Sequence, residues 1–300
     1  FNSCPSENEA AGYEAAYREA LQRVKTFRDK NRDSRVRERW WQFRRSGEQV
    51  RLAADRFERI LGTTMTSKHR LFCWINSSIQ PDKGIPIFAR SDDYFFAVLH
   101  SSIHELWARR MGTQLREVES GFRYTPTTCF ETFPLPWPPG KEPAKHPAYM
   151  RISEAAKQLN EQRERWLNPP EWIEPIAQAV DRDDDFADVP EEARALIRQS
   201  AIMARAAKDA KLKKRTLTNL YNERPTWLRL AHEQLDRAVL AAYAATDPEG
   251  EWSEDWALVW TDTGAGFPLP TGHALTELRK ETDQRVLGNL LRLNLEQAKK

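Results

Sequence analysis

The stretch "GFRYTPTTCFETFPLPWPPG", residues 121–140, begins with alternating apolar and polar residues and ends in closely spaced prolines. The alternation predicts a strand from Phe122 to Phe133. Proline lacks a backbone N–H and favours extended geometry in the residue before it, so the chain beyond Phe133 can continue neither as a central strand nor as a helix. We therefore expect a stiff arm whose Leu135 and Trp137 press on an apolar surface.

Residues 68–133, which include the first part of this stretch, contain short apolar runs separated by turn residues. Such a pattern is typical of strands. The runs are LFCWIN, IPIFAR and YFFAVL. A helix through HSSIHELWARRM and a polar connection, REVESG, follow them. This part of the chain is therefore predicted to contain the β-structure.

Both flanking regions have helical spacing. Residues 9–61 are predicted to form a basic helical segment, and helices are predicted again from about Pro147 onward. Interruptions are expected at WLNPPEW, at the acidic loop, at Pro225 and near DTGAGFPLPTG. The predicted fold is α+β and mainly helical. We expect a first domain over residues 1–139, with the basic helices at 9–61 and the β-containing part at 68–139, and a helical region over residues 140–300.

The composition excludes several classes of protein. The 300 residues carry a formal net charge of +2 and contain no run of eighteen apolar residues, and the N-terminus lacks the features of a signal peptide. The three cysteines are far apart and give neither a disulfide framework nor a zinc knuckle. We expect a cytoplasmic chain with no membrane partner and no bound metal.

Charge is concentrated locally. The stretch "RDKNRDSRVRERWWQFRR", residues 28–45, combines arginines with tryptophan and phenylalanine, a pattern that suits phosphate contact and stacking on bases. The alternative is a helix whose charged face is solvated while its tryptophans are buried. Residues 181–192 are instead rich in aspartate and glutamate, as expected of a solvated acidic loop.

Catalytic motifs are weak. Asn168-Pro169-Pro170 resembles the start of an amino-methyltransferase motif, but Glu171 replaces the aromatic residue and the preceding sequence is helical. His100 and His104 have the i, i+4 spacing of zinc ligands without a third ligand. The 12 glycines form no GxGxxG or GxxxxGK loop. We expect no catalytic residues and no cofactor site in this chain.

The ordered motifs around the opening stretch resemble the C-terminal portion of MmeI-like adenine-specific DNA methyltransferases of restriction-modification and phage defence. Residues 213–243 and 286–297 resemble the terminal helical region of that family, and KNRDSRVRERWWQF resembles the start of its target recognition domain. Ala97 departs from the glycine usual in the family. The positions that match the family's motifs are Leu99, Ser101, His104, Trp107, Arg123, Tyr124, Thr125, Phe130, Phe133, Pro134 and Pro136.

The resemblance implies a DNA-binding and sequence-recognition role, with methyl transfer carried out elsewhere. In such proteins the AdoMet-binding catalytic domain lies N-terminal to this region. Because the chain begins at Phe1, we expect a missing upstream portion. The expected partners are double-stranded DNA, the chain's own methyltransferase domain and proteins of a defence system. The expected cofactor, AdoMet, would bind in that missing domain.

The resemblance and the charge pattern together define an expected DNA-contacting set. Residues just before the Arg-Tyr-Thr motif contact base edges in the family, and arginine and glutamate can pair with guanine and cytosine, so Arg116, Glu117 and Glu119 form the expected reading set. The alternative is a polar surface connection with Arg123 in a structural salt bridge. The remaining members, expected mostly at phosphates, are Arg35, Arg37, Arg39, Trp41, Arg44, Arg45, Lys68, Arg70, Arg123 and Tyr124.

Two other functions stay open at this point. The first is a helical protein-interaction module, whose tryptophans and proline arm contact a defence-complex partner without direct DNA readout. The second is a stand-alone metal hydrolase that uses His100 and His104.

Overall fold

The computed structural model of the chain describes residues 4, 6–43, 47–79, 81–114, 122–184, 186–187, 191–263 and 276–299. The chain divides into two compact units. Unit 1 consists of residues 1–60 and 75–80, and unit 2 of residues 61–74 and 81–300. The predicted domain boundary after residue 139 falls inside unit 2, and the division of the chain into domains 1–139 and 140–300 stays a prediction.

Unit 1 is built from short helices, as its spacing predicts. Two of them begin with a side-chain cap: the Ser6 hydroxyl accepts from the Glu9 N–H at 3.3 Å, and the Asp33 carboxylate accepts from the Arg35 N–H at 3.1 Å. The helices are α1 (Glu7–Ala11), α2 (Glu14–Ala20), α3 (Thr26–Arg28), α4 (Ser34–Glu38) and α5 (Glu48–Ala54), with a π-helical turn, Leu21–Lys25, between α2 and α3.

The strands are short and form two three-stranded sheets within the described residues, in the orders β3-β1-β4 and β2-β6-β5. Strand β1 pairs with β4, and β6 pairs with both β2 and β5, all antiparallel. The predicted strands LFCWIN and IPIFAR are confirmed as β3 and β4. The bounds are β1 (Arg59–Thr63), β2 (Thr66–Ser67), β3 (Phe72–Asn76), β4 (Ile87–Phe88), β5 (Thr113–Gln114) and β6 (Phe122–Arg123).

The apolar run YFFAVL is helical, so its prediction as a strand was wrong. It lies in α6 (Asp93–His100), which is followed by α7 (Ser102–Met111). Asp92 and Ser101 cap the two helices through the N–H groups of Phe95 and His104. Seven of the eight residues of α6 are buried, and a helix that is apolar on all sides gives no period from which to recognise it.

The opening stretch also folds differently from the predicted strand. Only Phe122–Arg123 is a strand, and a π-helical turn, Pro126–Phe130, replaces the remainder. Its Glu131 N–H donates to the Pro126 carbonyl at 2.9 Å. Proline suits the first position of a helical turn, where its missing N–H costs nothing. The turn also directs Phe130 toward Phe88, with ring centroids 4.8 Å apart.

The proline arm packs as predicted. Leu135 is 7% exposed within the core of unit 2, and Trp137 lies with its ring centroid 5.7 Å from that of Tyr94. The Tyr243 hydroxyl donates to the Pro134 carbonyl at 2.8 Å. The arm is therefore fixed along the helices that follow it.

The rest of unit 2 is helical, which confirms a mainly helical α+β fold. Breaks occur at Asn168 and Pro169 and before Pro225, as predicted. None of the described helices is long and apolar enough to cross a membrane. The helices are α8 (Pro147–Leu167), α9 (Pro170–Asp183), α10 (Glu191–Ala206), α11 (Leu217–Glu223), α12 (Thr226–Thr246), α13 (Trp256–Trp260) and α14 (Glu277–Gln297), with a 3-10 turn at Leu212–Lys214.

A chain of buried polar groups connects β3 with α6, α11 and α12. The Phe72 N–H donates to His100 Nδ1 at 3.2 Å, so Nδ1 is an acceptor and the ring is held against β3. His100 Nε2 lies 3.1 Å from the Tyr221 hydroxyl, which lies 2.8 Å from His232 Nε2. Burial lowers the pKa of all three nearby histidines, to about 4 for His104 and about 3 for His232.

Burial shifts the pKa of Asp236, on α12, in the opposite direction. Its carboxylate accepts from the Ser102 N–H at 2.7 Å and from the Ser102 hydroxyl. Burial outweighs these hydrogen bonds and raises the pKa of Asp236 to about 7. The buried histidines therefore favour the folded state at neutral pH, whereas Asp236 favours it at acidic pH.

We expect the free energy of unfolding to depend on pH through these groups. The stability that neutral His232 contributes is present above about pH 6.5 and decreases as the pH falls toward its folded pKa. His232→Gln should therefore reduce the pH slope of the unfolding free energy between about pH 4 and 6.5 by about 1.4 kcal/mol per pH unit. Urea unfolding at several pH values measures this slope.

Asp236→Asn provides the control of opposite sign. The stability that protonated Asp236 contributes is present below about pH 4 and decreases as the pH rises toward 7. Replacing Asp236 should therefore make the pH slope of the unfolding free energy steeper, by about as much as His232→Gln reduces it. Equal slopes in the two variants would contradict the assignment of charge states.

Candidate nucleic-acid interface

Three of the arginines expected to contact DNA lie in the short helix α4 or directly after it. Arg35, Arg37 and Arg39 are all exposed. Arg37 is partly used within the chain, because its Nη1 donates to the carbonyls of Asn31 at 2.7 Å and Arg32 at 3.1 Å. Arg35 and Arg39 therefore present the more available guanidinium groups.

The neighbouring tryptophans hold unit 1 together. Trp40 is 2% exposed, and its indole N–H donates to the Glu7 carboxylate at 3.0 Å, which also accepts from the Tyr17 hydroxyl at 2.7 Å. Trp41 is half-buried, and its indole N–H donates to the Cys4 carbonyl at 3.1 Å. This arrangement agrees with the alternative interpretation of the basic stretch, in which the tryptophans are buried and the charged side chains face solvent. Base stacking by the half-buried Trp41 stays a prediction.

In unit 2, the residues Lys68 and Arg70 lie two positions apart but in different environments. Lys68 is exposed and its Nζ donates to the Asn222 side chain at 2.9 Å. Arg70 is 2% exposed, and its Nη1 donates to the Thr63 hydroxyl at 3.1 Å and to the Thr64 carbonyl. Burial lowers the pKa of the Arg70 guanidinium to about 10, which still leaves it charged at neutral pH.

Tyr124 is buried beneath Arg70, and Arg123 is exposed beside it. The Arg70 guanidinium carbon lies 4.9 Å from the centroid of the Tyr124 ring, and burial raises the pKa of the Tyr124 phenol above its usual range. Arg123 pairs in β6 with Thr66 and Thr113 on either side. Because their side chains are buried, we remove Arg70 and Tyr124 from the residues expected to contact DNA directly. Both support the neighbouring strands instead.

The remaining expected contacts lie outside the described residues. These are Arg44 and Arg45 of the basic stretch and the reading set, Arg116, Glu117 and Glu119.

The histidine pair is engaged in hydrogen bonds. His104 Nδ1 lies 2.7 Å from the Leu99 carbonyl and its Nε2 lies 3.3 Å from the Tyr124 hydroxyl, and both nitrogens of His100 have partners in the chain of buried groups. In the part of the chain that the structure describes, no three His, Cys, Asp or Glu side chains form a possible metal site. The geometry gives no support to the metal-hydrolase hypothesis.

The other weak motifs have structural roles. Asn168 ends α8 and Pro170 begins α9, so the Asn-Pro-Pro sequence joins two helices. Asp209-Ala210-Lys211 has the end of a nuclease-type acid-x-lysine motif, but the Asp209 carboxylate accepts from the N–H groups of Lys211 at 2.8 Å and Leu212 at 3.0 Å and so holds the backbone.

Sequence reasoning missed a cluster of lysines between α10 and α11. The signal was the run KDAKLKKR, residues 208–215, with one acid among five basic residues. Lys208, Lys211, Lys213 and Lys214 are all exposed. We call residues 208–215 the basic turn.

Residues 6–137 match the family model described as "MmeI, target recognition domain". No curated protein matches the chain. Among solved structures, the chain is similar to the Type IIL restriction-modification enzyme MmeI in complex with DNA, with 16% identity and a TM-score of 0.45 over 96% of this chain. The chain spans 28% of the length of that protein. The motifs around the proline arm predicted this similarity, and the match confirms that residues 6–137 are similar to the target recognition domain of MmeI.

Proposed function

We propose that this chain binds duplex DNA and selects the sequence on which a restriction-modification enzyme acts. The observation that carries the proposal is the match of residues 6–137 to a target recognition domain. That range contains the basic stretch of unit 1 and every strand that the structure describes. It also contains the expected reading set, Arg116, Glu117 and Glu119.

The side chains of the matched range are compatible with phosphate contact. Arg35 and Arg39 in unit 1 and Lys68 and Arg123 in unit 2 are exposed. Each unit also fixes nearby groups by burial and hydrogen bonding, Trp40 in the first and Arg70 in the second. Phosphate contacts of this kind position a protein on a duplex, while base contacts specify the sequence.

We further propose that the parent enzyme is an AdoMet-dependent adenine methyltransferase of restriction-modification or phage defence, located in the cytoplasm. The proposed partners are its own methyltransferase domain and proteins of the defence system. The Asn168-Pro169-Pro170 sequence does not suit the binding of a flipped base for methyl transfer, because it joins two helices and lies at no strand end. We assign the cofactor and methyl transfer to a separate catalytic domain.

A second candidate function is a protein-interaction module. Large apolar side chains of unit 1 favour it: Phe27 is 76% exposed, Phe43 is 70% exposed and Tyr13 is 63% exposed. Salt dependence separates the two functions, because phosphate contacts weaken steeply with salt and apolar protein contacts do not.

The double variant Arg35→Glu/Arg39→Glu should weaken binding of the 300-residue chain to all duplex sequences alike. Each phosphate contact that the variant removes should reduce the slope of log K against log salt by about one unit. Fluorescence anisotropy with labelled duplexes over a salt series measures this slope.

The control is Lys141→Glu/Lys145→Glu, which makes the same charge change at exposed residues outside the matched range. If both double variants lower the slope equally, binding reflects total charge and the α4 arginines have no specific role. An unchanged melting temperature shows that either variant is folded.

The chain alone should bind no AdoMet, because its sequence contains no glycine-rich loop of the kind that binds cofactors. Isothermal calorimetry with AdoMet should give no heat of binding. A micromolar dissociation constant would instead place the cofactor in this chain.

Charge swaps in the expected reading set should change sequence preference without changing phosphate-driven affinity. Glu119→Lys or Arg116→Asp, placed in the full-length enzyme, should alter the methylated sequence at one position, because each base contact contributes roughly 1–3 kcal/mol of discrimination. Methylome sequencing reads the outcome. An unaltered motif at full activity would remove these residues from the reading set.

A further inference from the structure

The basic turn joins α10 to α11 and carries a dense local positive charge. Lys208, Lys211, Lys213 and Lys214 are exposed within seven residues. Within the described residues, neither Lys208, Lys213 nor Lys214 has an acidic side chain as an ion-pair partner. The charge of these three lysines is therefore available to an anionic ligand.

Hydrogen bonds and burial fix the backbone of the basic turn. Leu212, at its centre, is 7% exposed, and the Asp209 carboxylate accepts from the N–H groups of residues 211 and 212. The Asn219 side-chain amide donates to the Lys214 carbonyl at 2.7 Å. The only acid in the sequence of the turn is thus used to hold its backbone.

Arg215 anchors the end of the turn between two aromatic rings. Its guanidinium carbon lies 4.8 Å from the centroid of Trp166 and 4.5 Å from that of Trp172. Its Nη1 also donates to the Trp166 carbonyl at 2.5 Å. Such a cation stacked between two tryptophans is held in place, so Arg215 positions the turn while the lysines beside it remain exposed.

The same helix, α11, holds Lys68. Asn219, which binds the basic turn, and Asn222, which binds Lys68 Nζ at 2.9 Å, are three residues apart on α11. Residues three apart on a helix lie on one face, with Cβ atoms about 5–6 Å from each other. Asn222 also lies 3.0 Å from His69 Nε2, which fixes the segment containing Lys68.

We propose that Lys68 and the lysines of the basic turn form one surface that contacts the phosphate backbone of duplex DNA. This inference rests on the proposed function and extends it beyond residue 137, into the helical region. Lysines are compact point charges, so a row of them neutralises phosphates without reading sequence. Their rigid backbone reduces the conformational entropy that binding costs.

The test is Lys213→Glu/Lys214→Glu in the 300-residue chain, with binding to a labelled duplex of about 30 base pairs measured over a salt series. We expect the slope of log K against log salt to fall by about two units, and affinity at about 0.1 M salt to fall by about tenfold for each phosphate that is no longer neutralised. Sequence preference among duplexes should be unchanged. The matched control, Lys141→Glu/Lys145→Glu, should leave the slope nearer to that of the unmodified chain.

A second variant distinguishes charge from structure. Lys213→Gln/Lys214→Gln should reduce the slope by about the same amount as the glutamate variant, with the melting temperature of the unmodified chain. If the unmodified chain binds duplex DNA and both variants keep its salt slope, the basic turn is no DNA contact and the inference is overturned. If the unmodified chain binds no duplex at all, the proposed function itself fails.

Discussion

The buried guanidinium of Arg163 fixes how α8 packs against β3 and α6. Arg163 is 1% exposed, and its Nη2 donates to the Phe72 carbonyl at 3.1 Å and to Cys73 Sγ at 3.3 Å. Leaving a buried charge without partners costs several kcal/mol, so α8 can pack only where β3 supplies that carbonyl. Because the Phe72 N–H also donates to His100, one residue of β3 is fixed by α8 and α6 together.

A second buried cation, Arg70, fixes the segment that carries the exposed Lys68. Arg70 binds the chain at Thr63 and Thr64 and lies over Tyr124, so it closes the segment between β1 and β3. His69 is buried against α11, which leaves Lys68 exposed on a segment whose following residues cannot move freely. A ligand-binding side chain is most effective on such a rigid support. Burial therefore divides the cations of one short segment into those that hold the fold and those that face solvent.

The sequence predicts the parts of this fold that have a clear period or a proline. The mainly helical class, β3, β4 and the helix breaks at Pro169 and Pro225 were confirmed. The run YFFAVL was wrongly predicted as a strand because a fully buried helix lacks a polar face. The strand predicted after Arg123 was also wrong, because packing of Phe130 on Phe88 fixes a π-helical turn at Pro126–Phe130.

In the candidate site, too, the sequence pattern predicts some features, whereas others depend on tertiary packing. The exposure of Arg35, Arg37 and Arg39 agrees with their polar, helical context, whereas the burial of Arg70 depends on the Thr64 carbonyl, a partner that no side-chain pattern reveals. The acidic segment was expected to be a solvated loop; Asp181 and Asp183 are exposed as expected but lie at the end of α9. There Arg198 pairs with Asp181 at 2.6 Å, and Arg205 pairs with Asp183 and Asp184 at 2.9 Å. These pairs cancel charge along α9 and α10, and the lysines of the basic turn follow directly after them. Since salt screens charges beyond about 10 Å, an approaching phosphate responds to that local excess of lysine and hardly to the net charge of +2.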